Sequence, residues 1–207
     1  MNLKSKKSYR VAKYLLTKGT CSQTEISKET GVAIGYINEI IHNLSDLNIV
    51  KIGYGETTLI DYARLLEKIS MDRPFKELVT DTFRLPTSSI TETENTLKRF
   101  CVNNKINHAF TGFSALRRFY EYHISYPTVH IYINNKNNLS TLEKGEGVIP
   151  VIVLNPDRQD ILANKNTEHD TNICEKIQVI IDLFSMGTGR DAAINYYRGT
   201  LWKPSTY

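Results

Sequence analysis

The sequence predicts an α+β fold in two parts, and three observations support this prediction. Amphipathic helical patterns fill most of residues 1–47, and two β-prone runs separated by glycines follow them. Helical and strand patterns then alternate along the rest of the chain. Hydrophobic residues make up 41% and charged residues 23% of the 207 residues, as is usual for a globular protein. We therefore expect a mainly helical domain over residues 1–72 and an α/β domain over residues 73–207.

Two helices are predicted before residue 31. Ser8 is expected to cap a first amphipathic helix that ends at Lys18. Ser22 and Glu25 have the spacing of a capping box, in which each side chain bonds to the other residue's backbone N–H. A short second helix is therefore expected to run from this box to Thr30.

A third helix is predicted from Ala33, after a turn at Gly31. Its apolar residues recur at spacings of three and four, and this stripe is expected to be buried: Ile34, Ile37, Ile41 and Leu44. The opposite face is polar and is expected to be exposed, with Tyr36, Asn38, Glu39, His42, Asn43 and Asp46.

A β-hairpin and a fourth helix complete the first part. Residues 48–52 and 57–60 are β-prone and flank a segment that contains two glycines. The fourth helix carries an apolar face from Tyr62 to Ile69 and ends near Pro74. Helices followed by a hairpin in this order are typical of a winged helix-turn-helix, which usually binds the DNA major groove.

Candidate DNA contacts follow from this arrangement. Asparagine pairs bidentately with adenine and histidine can donate or accept a hydrogen bond, so the third helix would read base edges. Phosphate contacts would come from basic residues before and after it and from the hairpin. The candidate residues are Lys6, Lys7, Arg10, Lys28, Tyr36, Asn38, His42, Asn43, Lys51 and Tyr54.

The distribution of charge both supports and limits this hypothesis. Residues 1–70 contain ten Lys or Arg against seven Asp or Glu, and six of these bases precede the first acid, Glu25. This basic arm could neutralise phosphates, or it could be an ordinary solvated helix face. No Lys or Arg lies between Gly31 and Val50, whereas Glu39 and Asp46 add negative charge there. The alternative is therefore a module that packs only against protein.

The second part is expected to alternate helices and strands. Asp182 interrupts an apolar helix, so we expect it to be paired in the core, with Arg190 or Arg198 as its partner. The predicted helices cover residues 91–105, 174–186 and 191–198, and the predicted strands cover residues 108–110, 128–133 and 148–154, while residues 75–90 form a connecting stretch.

Several classes of site are not indicated. The three cysteines have no CxxC spacing, and the five histidines lie at no recognised metal-ligand spacing, so neither a disulfide nor a metal site is predicted. No apolar run is long enough to span a bilayer, and the N-terminus lacks the apolar stretch of a signal peptide. We expect a cytoplasmic protein with no cofactor and no membrane partner.

Four segments in order resemble the AbiEi-type antitoxin and transcriptional-regulator family of type IV toxin-antitoxin systems. They are "YARLLEKI", "FTGFSALRRF", "TVHIYIN" and "QVIIDLFSMGTGRDAAINYYR", and the resemblance spans about residues 9–197. It implies that the first domain binds operator DNA and represses its own operon. It also implies that the second domain counteracts a nucleotidyltransferase toxin, although members without a toxin would have the same pattern.

The segment "TGFSAL" also resembles the opening motif of nucleotidyltransferases, in which Gly and Ser hold phosphates and the next strand supplies carboxylates for Mg²⁺. That strand presents His130, Tyr132 and Asn134 instead, and two-metal phosphoryl transfer requires closely spaced carboxylates. We therefore expect a nucleotidyltransferase-like domain that lacks catalytic carboxylates, and no enzyme. We assign contact with a ligand or a partner to Gly112, Ser114, Arg117 and Arg118. The alternative is that these residues form a tight turn and a packed helix.

The leading hypothesis is a DNA-binding transcriptional regulator that occupies its own operator as a homodimer or as paired copies. Counteraction of a nucleotidyltransferase toxin is a second role implied by the resemblance. The alternatives are a protein-interaction module that binds no operator and, third, a nucleotidyltransferase enzyme.

Overall fold

The computed structural model describes residues 2–121, 128–168 and 170–202. Over these residues the chain has an α+β fold with a three-stranded sheet and a six-stranded sheet. Two of the five histidines, His123 and His169, lie outside the described residues.

The first helix, α1, covers Lys6–Lys18 and begins earlier than the sequence predicts. Its N-cap is Ser5, whose hydroxyl accepts a hydrogen bond from the Ser8 backbone N–H. The predicted cap at Ser8 is wrong because its hydroxyl is buried and donates to the Asn2 carbonyl at 2.7 Å. Ser8 thus ties the residues before the helix to its first turn.

The second helix, α2, covers Gln23–Thr30 and has the predicted Ser22 cap. The Ser22 hydroxyl accepts from the Glu25 backbone N–H at 3.1 Å. The Glu25 carboxylate is not turned back to Ser22 as a capping box would require. It accepts from the Tyr14 hydroxyl at 2.8 Å and so joins α2 to α1.

The third helix, α3, covers Ile34–Asp46, and most of its predicted stripe is buried. Ile37, Ile41 and Leu44 are fully buried, and Ile40 is buried with them. The prediction for Ile34 is wrong, since 48% of this residue is exposed. Burial of Ile40 moves the centre of the stripe away from Ile34, which occupies the first position of the helix.

The predicted hairpin is confirmed and gains a third strand. Strand β1 covers Thr20–Cys21, β2 covers Val50–Ile52 and β3 covers Thr57–Leu59, in the antiparallel order β1-β3-β2. Two residues are too few to show strand periodicity, so β1 could not be predicted. The fourth helix, α4, follows at Tyr62–Asp72, with Asp61 as its N-cap.

The rest of the chain forms a mixed sheet with helices around it. Its strands are β4 at Val79–Arg84, β5 at His108–Thr111, β6 at Val129–Ile133, β7 at Pro150–Leu154, β8 at Asn166–Glu168 and β9 at Thr171–Ile173. Its α-helices are α5 at Ile90–Asn103, α6 at Gly112–Leu116, α7 at Asp160–Ala163, α8 at Lys176–Ser185 and α9 at Arg190–Tyr196. Short 3-10 turns cover Phe75–Leu78 and Lys136–Leu139, and a π-helical turn covers Tyr197–Leu201.

The six strands lie in the order β4-β7-β6-β5-β9-β8. The pairs β6–β7 and β5–β9 are parallel, and the other neighbours are antiparallel. The predicted strands at residues 108–110, 128–133 and 148–154 are confirmed to within two residues at their ends. Strands β8 and β9 are short and polar, which left no alternating pattern to detect.

Helix α8 links the N-terminal helices to the large sheet. Its residues 177–184 are all buried, and it contacts α1, α4, α6 and β5. One hydrophobic core therefore includes residues from both predicted parts. The predicted boundary near residue 72 falls at the end of α4, and Arg73, the next residue, lies in this core.

The three cysteines are free thiols and are buried. Burial raises the pKa of Cys21 to about 11 and that of Cys101 to about 12. Because the thiolate is the reactive form, we expect the folded protein to react with a disulfide reagent at pH 8 roughly a hundredfold more slowly than the urea-unfolded chain. Absorbance of the released chromophore measures both rates, and equal rates would contradict this burial.

Candidate nucleic-acid interface and buried junction

The polar face of α3 is presented to solvent as predicted. Asn38 and His42 are exposed, and Tyr36 and Asn43 are half-buried. The Asn43 amide donates to the Glu39 carbonyl in the preceding turn at 2.7 Å. Asn38 and His42 are therefore better placed than Asn43 to contact a ligand.

The turn before α3 is fixed by local hydrogen bonds. Gly31 has the left-handed conformation at φ 67°, which favours glycine. The Ser27 hydroxyl donates to the Val32 carbonyl at 2.8 Å, and the Thr30 hydroxyl donates to the Ile26 carbonyl at 2.6 Å. These bonds and the buried stripe hold the polar face of α3 in one orientation.

The tip of the β2–β3 hairpin extends into solvent. The Gly53 N–H donates to the Glu56 carbonyl at 2.9 Å, and Gly55 has a φ of 76°. The Tyr54 side chain between these glycines is fully exposed, and Lys51 is exposed on β2. A tight, glycine-containing tip of this kind can approach a nucleic-acid backbone closely.

The predicted basic arm divides into exposed and paired residues. Lys6, Lys7, Arg10 and Lys28 are exposed, as a phosphate contact requires. By contrast, Lys13 is buried, and its ammonium group lies 2.8 Å from a Glu175 carboxylate oxygen and 3.8 Å from one of Asp160. Lys4 lies 2.7 Å from the Glu77 carboxylate. Lys13 is therefore not available to contact phosphate, and Lys4 has a carboxylate partner within the chain.

Arg10 faces a cleft of about 500 Å³ between α1, α2, α7 and the N-cap residue of α8. The cleft also contains carboxylates of both parts of the chain, Glu29, Asp160 and Glu175. These negative charges reduce the electrostatic attraction of Arg10 for a phosphate group. Lys6, Lys7 and Lys28 are therefore the stronger candidates for phosphate contact.

A buried network of charged groups joins the two parts of the chain at Arg73. Arg73 is 1% exposed and donates from Nη2 to Asp157 at 2.7 Å and from Nη1 to Asp182 at 3.2 Å. Nη2 also donates to the Tyr132 hydroxyl at 3.1 Å. Arg158 pairs with the same Asp157 carboxylate and stacks 3.8 Å from the centre of the Tyr9 ring.

Asp182 is the fully buried acid of this network. It accepts hydrogen bonds from Thr111 at 2.7 Å, from Gln178 at 2.9 Å and from Tyr132 at 3.1 Å. Burial raises its pKa, and Arg73 together with these hydrogen bonds opposes the rise. Gln178 in turn accepts from the Tyr9 hydroxyl of α1 at 2.8 Å.

The predicted partners of Asp182 are wrong, although its pairing in the core is confirmed. Arg190 stacks on the Phe184 ring at 4.9 Å, and Arg198 donates to the Tyr62 hydroxyl at 3.4 Å. Arg73 takes their place because it enters the core directly after α4 and carries enough donors to reach both Asp157 and Asp182.

The β5–α6 turn that carries Gly112 and Ser114 lies in the interior. Gly112 is buried with a φ of 60°, and a Cβ there would lie 3.3 Å from Met186 Sδ and 3.4 Å from His130 Nδ1. Ser114 is 1% exposed, and its hydroxyl has no hydrogen-bond partner among the described residues. This environment favours the packing alternative for Gly112.

Arg117 and Arg118 follow this turn and pair with the same buried acid. Glu94 on α5 is 2% exposed, and it accepts from the guanidinium groups of both arginines, with Arg118 at 3.0 Å. The side chains of Arg117 and Arg118 remain partly exposed, at 34% and 17%. They fix α6 to α5 and leave part of each guanidinium group in contact with solvent.

Burial lowers the pKa of His130 to about 4, from 6.5 for an ordinary histidine. The unfolded chain therefore takes up a proton between these values before the folded chain does, so stability falls as the pH decreases from 6.5 to 4. We expect His130→Leu to reduce the slope of the unfolding free energy against pH in this range by up to about 1.4 kcal/mol per pH unit. Burial also lowers the pKa of His108, which therefore still contributes to the slope that remains in the variant.

Urea unfolding of both proteins between pH 4 and pH 7 measures the two slopes. Parallel stability curves for the wild type and His130→Leu would contradict this prediction.

Over the described residues, no group of three or more His, Cys, Asp or Glu is arranged to hold a metal ion. No described helix is both long enough and apolar enough to cross a bilayer.

Neither a scan against protein-family models nor a search of curated proteins finds a match to this chain.

Proposed function

We propose that this chain is a DNA-binding transcriptional regulator in which residues 1–72 act as a winged helix-turn-helix domain in the cytoplasm. The observation that carries the proposal is the geometry of α3, whose apolar face is buried while Asn38 and His42 project into solvent. The exposed hairpin tip at Tyr54 supplies the element that a wing requires.

The proposed roles of the side chains follow from their chemistry and exposure. Asn38 and His42 read base edges in the major groove, with Tyr36 and Asn43 as neighbours on the same face. Lys6, Lys7 and Lys28 contact phosphates, as do Lys51 and Tyr54 on the wing, while Arg10 contributes less.

We propose that residues 73–207 form a nucleotidyltransferase-like domain that makes contacts and does not catalyse. Asp157, which follows β7, and Asp182 on α8 are the two carboxylates of the buried network, and both are bound to Arg73. A carboxylate held by arginine has its acceptor positions occupied by N–H donors, where a metal would need free oxygens. We propose that Arg117 and Arg118 contribute to the surface that would engage a toxin.

The enzyme alternative is tested directly. Purified protein is incubated with labelled nucleotides, Mg²⁺ and candidate acceptors. We expect no transfer above a blank, and transfer that Asp157→Asn abolishes would contradict the proposed binding role.

Specific DNA binding is tested on the fragment that precedes the chain's own operon and on a random fragment of equal length. We expect tighter binding to the operon fragment, by about a thousandfold or more at physiological salt. The affinity for both fragments should fall as salt increases, because bound phosphates release counterions. Equal affinity for the two fragments, or affinity that salt does not change, would contradict operator binding.

One observation favours the protein-interaction alternative. Helix α3 carries no Lys or Arg but does carry the acids Glu39 and Asp46. If the N-terminal part is only a scaffold, replacing Asn38 and His42 leaves partner binding unchanged, and neither the wild type nor the variant represses the operon. If it reads DNA, the same replacement abolishes repression while the protein stays folded.

A further inference from the structure

The exposed face of α3 begins with a large apolar residue. Ile34 is the first residue of this helix, and 48% of it is exposed to solvent. Asn38 and His42 follow it at intervals of four residues and are also exposed, so the three side chains lie on one face of the helix. Ile34 is therefore continuous with the surface that we propose to read base edges.

Gly35, the next residue, meets no structural requirement for glycine. It is exposed in the first turn of α3, and its φ lies outside the left-handed region. A Cβ at this position would contact neither a described side chain beyond its two neighbours nor the backbone of another element within 4 Å. Glycine destabilises a helix relative to alanine, so the fold gains nothing from it here. The missing side chain does let another molecule approach the backbone of this turn closely.

The residue types on α3 restrict what this face can read. Guanine is most often read by a bidentate Arg or Lys, and α3 has neither. Asparagine pairs with adenine through N6 and N7, and an apolar side chain contacts the 5-methyl group of thymine. Ile34 can supply the apolar contact and Asn38 the hydrogen bonds. The chemistry of this face therefore favours A·T base pairs.

We propose that the first turn of α3 lies directly against the base edges of the major groove, where the Ile34 side chain packs on the 5-methyl group of a thymine. Gly35 lets the helix backbone come close enough for that contact. Ile34 and Asn38 are about 6 Å apart along the helix axis, since each residue adds about 1.5 Å, and successive base pairs are about 3.4 Å apart. The thymine therefore lies within about two base pairs of the adenine that Asn38 contacts.

This inference rests on the proposed operator binding and adds a thymine-reading residue to it. Its test replaces every thymine of the operon fragment by deoxyuridine, which removes the 5-methyl group and keeps the base pairing. Fluorescence anisotropy measures the affinity of the full chain for the thymine form and the uracil form. We expect the wild type to bind the uracil form at least about threefold more weakly, because a buried methyl contact is lost.

Ile34→Ala shows which residue makes this contact. We expect the variant to bind the thymine form at least about threefold more weakly than the wild type does, and to bind both forms equally. Val102→Ala is the matched control, since it shortens an apolar side chain on α5 that is 58% exposed, and it should keep the wild-type difference between the forms.

Two kinds of failure are distinguishable in this experiment. A wild type that binds the two forms equally, or an Ile34→Ala variant that keeps the full difference between them, overturns the contact with thymine and leaves operator binding intact. A wild type that does not prefer the operon fragment to random DNA overturns both proposals.

Gly35→Ala tests the close approach of the backbone and separates it from stability. We expect the melting temperature to stay the same or rise, because alanine favours the helix. The preference for the operon fragment should nevertheless fall at least about tenfold, because the new Cβ occupies space between α3 and the base edges. A Gly35→Ala variant that keeps the wild-type preference overturns the proposed position of this turn.

Discussion

Replacement of Arg73 by methionine is expected to reduce the free energy of unfolding by about 3–5 kcal/mol at pH 7, because it leaves a buried carboxylate without its counter-charge. Asp182 is fully buried, and only the Arg73 guanidinium brings a positive charge within 4 Å of it among the described residues. Urea unfolding followed by circular dichroism measures the loss. The exposed Arg99→Met on α5 is the matched control, and we expect it to change stability by less than about 0.5 kcal/mol.

Two further measurements separate this charge effect from a loss of packing. Without Arg73 the pKa of Asp182 rises further, so the difference between wild type and Arg73→Met should shrink as the pH falls and the acid takes up a proton. Adding Asp182→Asn to Arg73→Met removes the uncompensated charge and should recover a large part of the lost stability. If neither low pH nor the second substitution narrows the difference, the loss arises from packing alone.

The junction also connects stability with the orientation of the proposed DNA-binding domain. Arg73 follows α4, Tyr9 lies on α1, and both contact a network that continues through Gln178 and Asp182 on α8. Buried hydrogen-bonded charges tolerate little displacement, because any shift leaves a desolvated group unpaired. The positions of α1 and α4 relative to the large sheet are therefore fixed.

The sequence was sufficient to predict the elements that depend on local patterns. The third helix, the Ser22 cap, the Gly31 turn and the strands over residues 128–133 and 148–154 all follow from spacing and residue type, and the structure confirms them. The predicted Ser8 cap is wrong because Ser5 and Ser8 are both suitable capping residues. Only the hydrogen bond from the Ser8 hydroxyl to the Asn2 carbonyl distinguishes them, and residue type does not predict that bond.

The candidate site was predictable where exposure follows helix periodicity and not where it depends on distant residues. Asn38 and His42 are exposed because they lie opposite Ile37, Ile41 and Leu44. Lys13 resembled the other lysines of α1, and its burial depends on Asp160 and Glu175, which are far along the chain. The pairing of Arg73 with Asp182 joins residues 109 positions apart, and no local pattern reports such a contact.

The second large effect is expected on DNA recognition and not on stability. A bidentate contact between an asparagine and a base contributes about 1–3 kcal/mol of discrimination, and a single hydrogen bond from a histidine about 0.5–1.5 kcal/mol. Combined Asn38→Ala and His42→Ala should therefore remove about 1.5–4.5 kcal/mol of preference for the operon fragment. Because both residues are exposed, the melting temperature should stay within a few degrees of the wild type. Fluorescence anisotropy with specific and random fragments measures the preference.

Two controls decide how that result is interpreted. Combined Lys6→Ala and Lys7→Ala should weaken binding to both fragments about equally and reduce the slope of log affinity against log salt by about 2, because phosphate contacts carry no sequence information. The exposed Asn95→Ala on α5 should change neither affinity nor preference. If Asn38→Ala with His42→Ala weakens binding to random DNA as strongly as to the operon fragment, α3 contributes affinity without reading bases. If the double variant changes neither the affinity for random DNA nor the preference for the operon fragment, α3 does not face DNA. The protein-interaction alternative then accounts better for the acidic residues of α3.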